Sequence, residues 1–184
     1  MRVSVAKRIV HFISVVFLFL IPVVAMGSDD QGTIFVVRHG EKASSAADAL
    51  LSAAGHKRAN CLAQMLKGAN VRAIFTPEVK RTQQTAEPLA SDKLIQITVI
   101  PRSHVEEMTQ KAISAAQNGA VLIVAQQDTM PKIVQLLGGG TIAPIGDNEF
   151  DRLVILHVAG AGATITTLHY CTCRQSESKS GAMR

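Results

Sequence analysis

Only three cysteines occur in the 184-residue chain, and none lies with histidine or a second cysteine pair at metal-ligand spacing. No metal site and no cofactor is expected from such a pattern. Three cysteines cannot all pair within one chain. Cys171 and Cys173 lie two apart, on one face if extended, and are poorly placed to bridge each other; Cys61 falls in a helical pattern and reads as a small core residue. All three read as structural. A surplus of charge is missing too. The formal +5 comes from the ends: residues 1–27 hold three of the 19 basic residues and none of the 14 acidic ones, and the stretch after Cys171 holds three basic residues against one acidic, leaving 13 of each in the body. Nothing there resembles the basic face of a nucleic-acid binder.

Long apolar runs are scarce. The one at the start, Ile9 to Ala25, falls short of the roughly 20 residues that span a bilayer and is interrupted by Pro22. It follows Arg2, Lys7 and Arg8 with no acid, the three-part pattern of a secretory signal, with Val23-Val24-Ala25 or Ala25-Met26-Gly27 as cleavage sites. No cysteine follows to accept a lipid. Residues 1–27 are therefore expected to be a signal peptide, the mature chain to begin near Ser28, and the protein to be periplasmic or secreted, with no membrane attachment after removal. Residues 28–171 fit a single domain with a real core, and 172–184 read as a polar, disordered tail.

Against these absences stands Thr33-Ile34-Phe35-Val36-Val37-Arg38-His39-Gly40. Its β-branched and aromatic residues read as a buried strand that stops at an arginine, a histidine and a glycine. Ligands of open α/β sheets bind outside the carboxyl ends of strands, so a basic pair delivered there suggests an anion site, with phosphate as first candidate. Arg38 offers a planar fork of donors to phosphate oxygens, and His39 is a nucleophile able to accept a phosphoryl group and pass it to water.

Further along, strand and helix alternate. A helix is expected from about Ala53 to a stop at Gly68, and a strand over Val71 to Phe75. A helix opening at Pro77 under a Thr76 cap runs to about Leu89, and a strand follows over Leu94 to Ile100. Ser103-His104-Val105-Glu106 reads as a capping box opening a helix toward Gln117. Ala120 to Ala125 is the most hydrophobic strand of the mature chain, and Asp128 or Thr129 is expected to cap a helix through Leu137. Arg152 to Val158 and Ala163 to Tyr170 read as a hairpin. The pattern implies an α/β domain, a three-layer α/β/α sandwich with a mostly parallel sheet.

Phe75-Thr76-Pro77-Glu78-Val79-Lys80-Arg81-Thr82-Gln83-Gln84-Thr85-Ala86 repeats the logic of the first motif at a second strand end, with Arg81 near the first turn of a helix, where backbone N–H groups favour an anion. Val37-Arg38-His39-Gly40 followed by Arg81-Thr82-x-Gln84-Thr85-Ala86 resembles the histidine phosphatase superfamily, also called phosphoglycerate mutase-like. Asp128-Thr129-Met130-Pro131 is similar to the family's Asn-Thr-x-Pro helix start, and Glu149 to Leu153 to the approach to its late strand. The resemblance implies that His39 is phosphorylated while Arg38 and Arg81 hold the phosphoryl oxygens. It also implies an acid between the second arginine and the second histidine, for which Glu107 is the candidate. One position departs: Gln126 stands where the family carries its second catalytic histidine, keeping a donor for the phosphate site but no charge. Two readings follow. One is a weak phosphomonoesterase acting through phospho-His39 on a phosphorylated small molecule; the alternative is an inactive pseudophosphatase that binds phosphate or a phospho-ligand. A mutase is disfavoured by the export signal.

Overall fold

The computed structural model describes residues 32–160 and 162–171. The expected signal peptide and the polar tail, Cys173 included, lie outside the described residues.

Strand β1 (Gly32–Arg38) is buried along nearly its whole length, as its apolar run requires. It is followed by α1 (Ala53–Met65), β2 (Val71–Thr76), α2 (Lys80–Lys93), β3 (Ile97–Val99), α3 (Val105–Ala116), β4 (Ala120–Ala125) and α4 (Met130–Val134). A π-helical turn over Gln135–Gly139 and the hairpin β5 (Arg152–Ala159) and β6 (Gly162–His169) complete the domain. The sheet order is β3-β2-β4-β1-β5-β6. β3, β2, β4 and β1 pair in parallel, and β5 and β6 add antiparallel pairs, so the sheet is mixed with a parallel centre.

Alternation along the central strands sends their side chains into two cores. Ile34, Val36, Val121 and Ile123 pack with α3 and α4, whereas Phe35, Val37, Leu122 and Val124 pack with α1 and α2. Helices thus cover both faces, in the three-layer arrangement expected. Register then positions the chemistry: Arg38 pairs with Ala125, and the His39 N–H donates to the Ala125 carbonyl at 3.0 Å, so β1 and β4 deliver His39 and Gln126 side by side.

Several local expectations are corrected. Thr76 does not cap α2 but ends β2, its carbonyl accepting from the Ile100 N–H, so the helix begins only at Lys80 with Val79 at the uncapped N-terminal position. The Ser103–Glu106 capping box does not form. His104 donates back to the Pro101 carbonyl at 2.8 Å, a turn that leaves His104 rather than Ser103 at the start of α3. Thr129, one of the two residues expected there, stands at the N-cap of α4 but makes no side-chain capping bond to the helix; its hydroxyl instead accepts from the Gln126 N–H at 3.1 Å. Cys61 is not a free core residue: it forms a disulfide with Cys171. Buried Tyr170 belongs to the same core as Leu62 of α1 and Leu66 just after that helix, and the neighbouring Cys171 bridges to Cys61 across 110 residues of sequence.

Candidate active site

Arg38 and His39 leave the end of β1 almost fully buried. His39 Nδ1 lies 2.7 Å from the Gly40 carbonyl oxygen. A carbonyl only accepts, so Nδ1 carries the proton and Nε2 holds the free lone pair. Burial is the largest cause that lowers the His39 pKa from 6.5 to about 4; the Gly40 hydrogen bond, next in size, opposes it, and the charges of Arg81, Arg38 and Lys42 lower it further. The imidazole is therefore neutral and nucleophilic at pH 7.

The loop after His39 is held from α2. Thr85 Oγ1 accepts from the Gly40 N–H at 3.0 Å and donates to the Arg81 carbonyl at 2.8 Å, while Gln84 Oε1 accepts from the Leu51 N–H at 2.9 Å. The Arg81-Thr82-x-Gln84-Thr85 spacing thus does two jobs: it presents Arg81, and one turn later it ties that helix to the loop after His39. Sequence reasoning assigned no such part to Gln84 and Thr85, although their place within the motif was the available signal.

Arg38 Nη1 donates to the carbonyls of Gly146, Asp147 and Glu149 at 2.8, 3.0 and 2.9 Å, and its guanidinium lies 4.1 Å over the Phe150 ring. One side of the fork therefore secures the loop before β5. Arg81 Nη1 donates to the Ala47 carbonyl at 2.7 Å. Burial lowers the pKa of both arginines, yet guanidinium remains charged.

The structure brings Arg38, His39, Arg81 and Gln126 onto the wall of one cavity of about 390 Å³, which Lys42 and Asp128 also line. Arg38 Nε, Arg81 Nε and Gln126 Nε2 are all buried without a hydrogen-bond partner. A buried unpaired donor costs about 1–3 kcal/mol, so three of them on residues around one cavity describe a socket for an acceptor-rich group. With two guanidinium charges and Lys42 present, that group is an anion. Glu107 is not part of the socket. Its carboxylate pairs on the surface of α3 with Lys111 at 3.0 Å and His104 at 3.6 Å, an i,i+4 and i,i+3 arrangement that the helix imposes. The carboxylate that does line the cavity belongs to Asp128, which pairs with Arg102.

The family model of the histidine phosphatase superfamily (branch 1) matches residues 34–109. Solved structures align over most of the domain. The protein histidine phosphatase SixA in complex with tungstate matches with TM-score 0.58 and 18% identity, over 74% of this chain and 96% of that one. The alpha-ribazole phosphatase of Shigella flexneri matches with TM-score 0.58 and 17% identity, over 74% and 96%. The chain has the histidine phosphatase fold. The chain is also 33% identical over 76 residues to the probable phosphoglycerate mutase GpmB of Yersinia enterocolitica, a match spanning 38% of this chain and 35% of that relative. The superfamily match contains Arg38, His39 and Arg81 and stops before Gln126.

Proposed function

We propose that this chain is an exported histidine phosphatase that binds phosphate and hydrolyses phosphomonoesters weakly through phospho-His39. The observation that carries the reading is the convergence of a neutral His39, its Nε2 lone pair free, with three unpaired N–H donors around one cavity. Arg38 and Arg81 hold the phosphoryl oxygens. His39 Nε2 attacks phosphorus, the bond to the leaving oxygen breaks, and that oxygen takes a proton from water; a second water then attacks the phosphohistidine, the N–P bond breaks and phosphate is released with the imidazole restored. The leader pattern of residues 1–27 and the Cys61–Cys171 disulfide both support export, since such bonds persist in oxidising compartments.

A second reading is favoured by Gln126. An imidazolium at that point adds a positive charge as charge shifts in the transition state, whereas the Gln126 amide donates without it. Removing one preorganised group of this kind costs on the order of 10² to 10³ in rate, enough to leave a phosphate-binding pseudophosphatase. Single-turnover labelling of His39 by an activated phosphoester separates the two. Labelling of the wild type, accelerated on the order of 10²-fold in Gln126→His, is the expected result. Labelling in Gln126→His alone makes the natural protein a binding module, and labelling in neither, with no affinity for phosphate, overturns the phosphate-site reading.

A further inference from the structure

In the proposed reaction the Gln126 amide donates to the phosphoryl group without charge, and the same cavity holds a cation that the fold leaves unused. Lys42 lines that cavity together with Arg38, His39, Arg81 and Gln126. The backbone around it is pinned. Lys42 forms an antiparallel bridge with Leu51, the Ala43 N–H donates to the Leu50 carbonyl at 2.9 Å, and the Ser52 N–H donates to the Glu41 carbonyl at 2.8 Å. The Leu51 N–H is held in turn by Gln84 of α2, and the Glu41 carboxylate by Arg58. A fixed Cα thus carries the Lys42 ammonium on a flexible four-carbon stem at the mouth of the phosphate socket.

The carboxylates around Lys42 are engaged elsewhere. Asp128, on the cavity wall, pairs with Arg102, and Glu41 pairs with Arg58. Asp147, with which Lys42 shares the wall of a neighbouring cavity, accepts from Gln127 Nε2 at 2.8 Å. Among the described residues no carboxylate oxygen lies within 4.0 Å of the Lys42 ammonium. Arg38 and Arg81 each commit one guanidinium nitrogen to main-chain carbonyls, whereas all three ammonium donors of Lys42 remain for an anion. The ammonium also stands near enough to His39 for its charge to act on that ring. We infer that Lys42 is the third cation of the phosphate site: its ammonium donates to the oxygens of the bound phosphoryl group and supplies the positive charge that the Gln126 amide lacks. Lys42 stays protonated throughout and transfers nothing; its charge offsets the charge on the oxygens.

The inference rests on the phosphate-site reading, and the test keeps the two apart. Inorganic phosphate is titrated calorimetrically into the purified chain at about pH 6, where His39 is still neutral and a histidine placed at 126 favours its charged form. Lys42→Gln should weaken phosphate binding about tenfold, the scale of one charge-assisted hydrogen bond, and Lys42→Arg should stay within about threefold of wild type. Lys57→Gln, the same charge change at an exposed position of α1, should leave affinity unaltered. In a Gln126→His background, Lys42→Gln should cost less than about threefold, because the imidazolium already supplies the charge; this coupling between the two positions is what a merely structural lysine would not produce. Urea midpoints of the Lys42 variants should match wild type, and an affinity loss that tracks a stability loss would assign Lys42 to the fold instead. Wild-type affinity in Lys42→Gln overturns the inference and leaves the phosphate pocket standing. Equal losses from Lys42→Gln in both backgrounds, or an equal loss in Lys57→Gln, overturn the exchange of one charge for the other. Failure of wild type and every variant to bind phosphate overturns the phosphate-site reading along with it.

Discussion

In the proposed reaction His39 owes its nucleophilicity to its surroundings rather than to a neighbouring base. Burial and the flanking cations hold its pKa at about 4, and the neutral form is the one that attacks in the proposed reaction. The neutral fraction grows with pH, so reactivity is complete above that value and is lost as pH falls through it; an ordinary histidine would lose it near 6.5. Ring nitrogen NMR of His39 should report an Nδ1–H tautomer down to about pH 5 and protonation centred near pH 4, and a midpoint near 6.5 would contradict this environment. Gln126 carries the opposite kind of tension. Its buried amide N–H has no partner, so in the ligand-free fold it costs stability. Gln126→Leu, similar in size, should raise stability by about 1 kcal/mol in urea unfolding while weakening phosphate binding, the trade expected of a residue kept for its ligand.

Helix α1 and the loop after His39 touch backbone to backbone, and two glycines make that possible. A Cβ on Gly55 would stand 2.4 Å from the Glu41 carbonyl oxygen, and one on Gly40 would stand 2.9 Å from the Gly55 carbonyl oxygen. Gly55→Ala must push α1 away from the loop. It should cost about 1–3 kcal/mol of stability and also lower phosphate affinity, whereas Gly68→Ala, where a Cβ meets nothing within 4 Å, should change neither. Urea unfolding and phosphate titration of both variants check this. At this scale the sequence was legible where one pattern dominated. The apolar runs of β1 and β4 located the sheet centre, and the two arginine motifs located the walls of the socket. It was not legible where a short signal met a stronger partner. Thr76 looked like a cap, but the sheet claims it through Ile100; Ser103 and Glu106 looked like a capping box, but the turn from Pro101 to His104 sets the helix start. Glu107 sat at the right distance along the chain for an acid, yet the helix pairs it with Lys111.

The disulfide is where the whole molecule comes together, and no local pattern announces it, because its partners meet only after the entire sheet has formed. Cys61 and Cys171 close a loop of 110 residues. One turn before Cys61, Arg58 donates from Nε and Nη2 to the Glu41 carboxylate and from Nη1 to the Tyr170 carbonyl at 3.2 Å. The residues just after β6, α1 and the residue two positions after His39 are thus one linked unit. Burial alone would raise the Glu41 pKa, but the Arg58 bonds outweigh it and leave the carboxyl below its usual value, so this pair is kept down to acid pH. In the chain-entropy picture the cross-link contributes about 4–5 kcal/mol by restricting the unfolded chain. Reduction with a dithiol, or the pair Cys61→Ala and Cys171→Ala, should therefore lower the melting temperature by roughly 10 °C. The folded, reduced protein should still bind phosphate, because the Arg58–Glu41 bonds do not pass through sulfur. Equal melting temperatures with and without reductant would remove the bridge as a stabilising element. Loss of phosphate affinity in a reduced but folded sample would show that the bridge holds the socket as well as the fold.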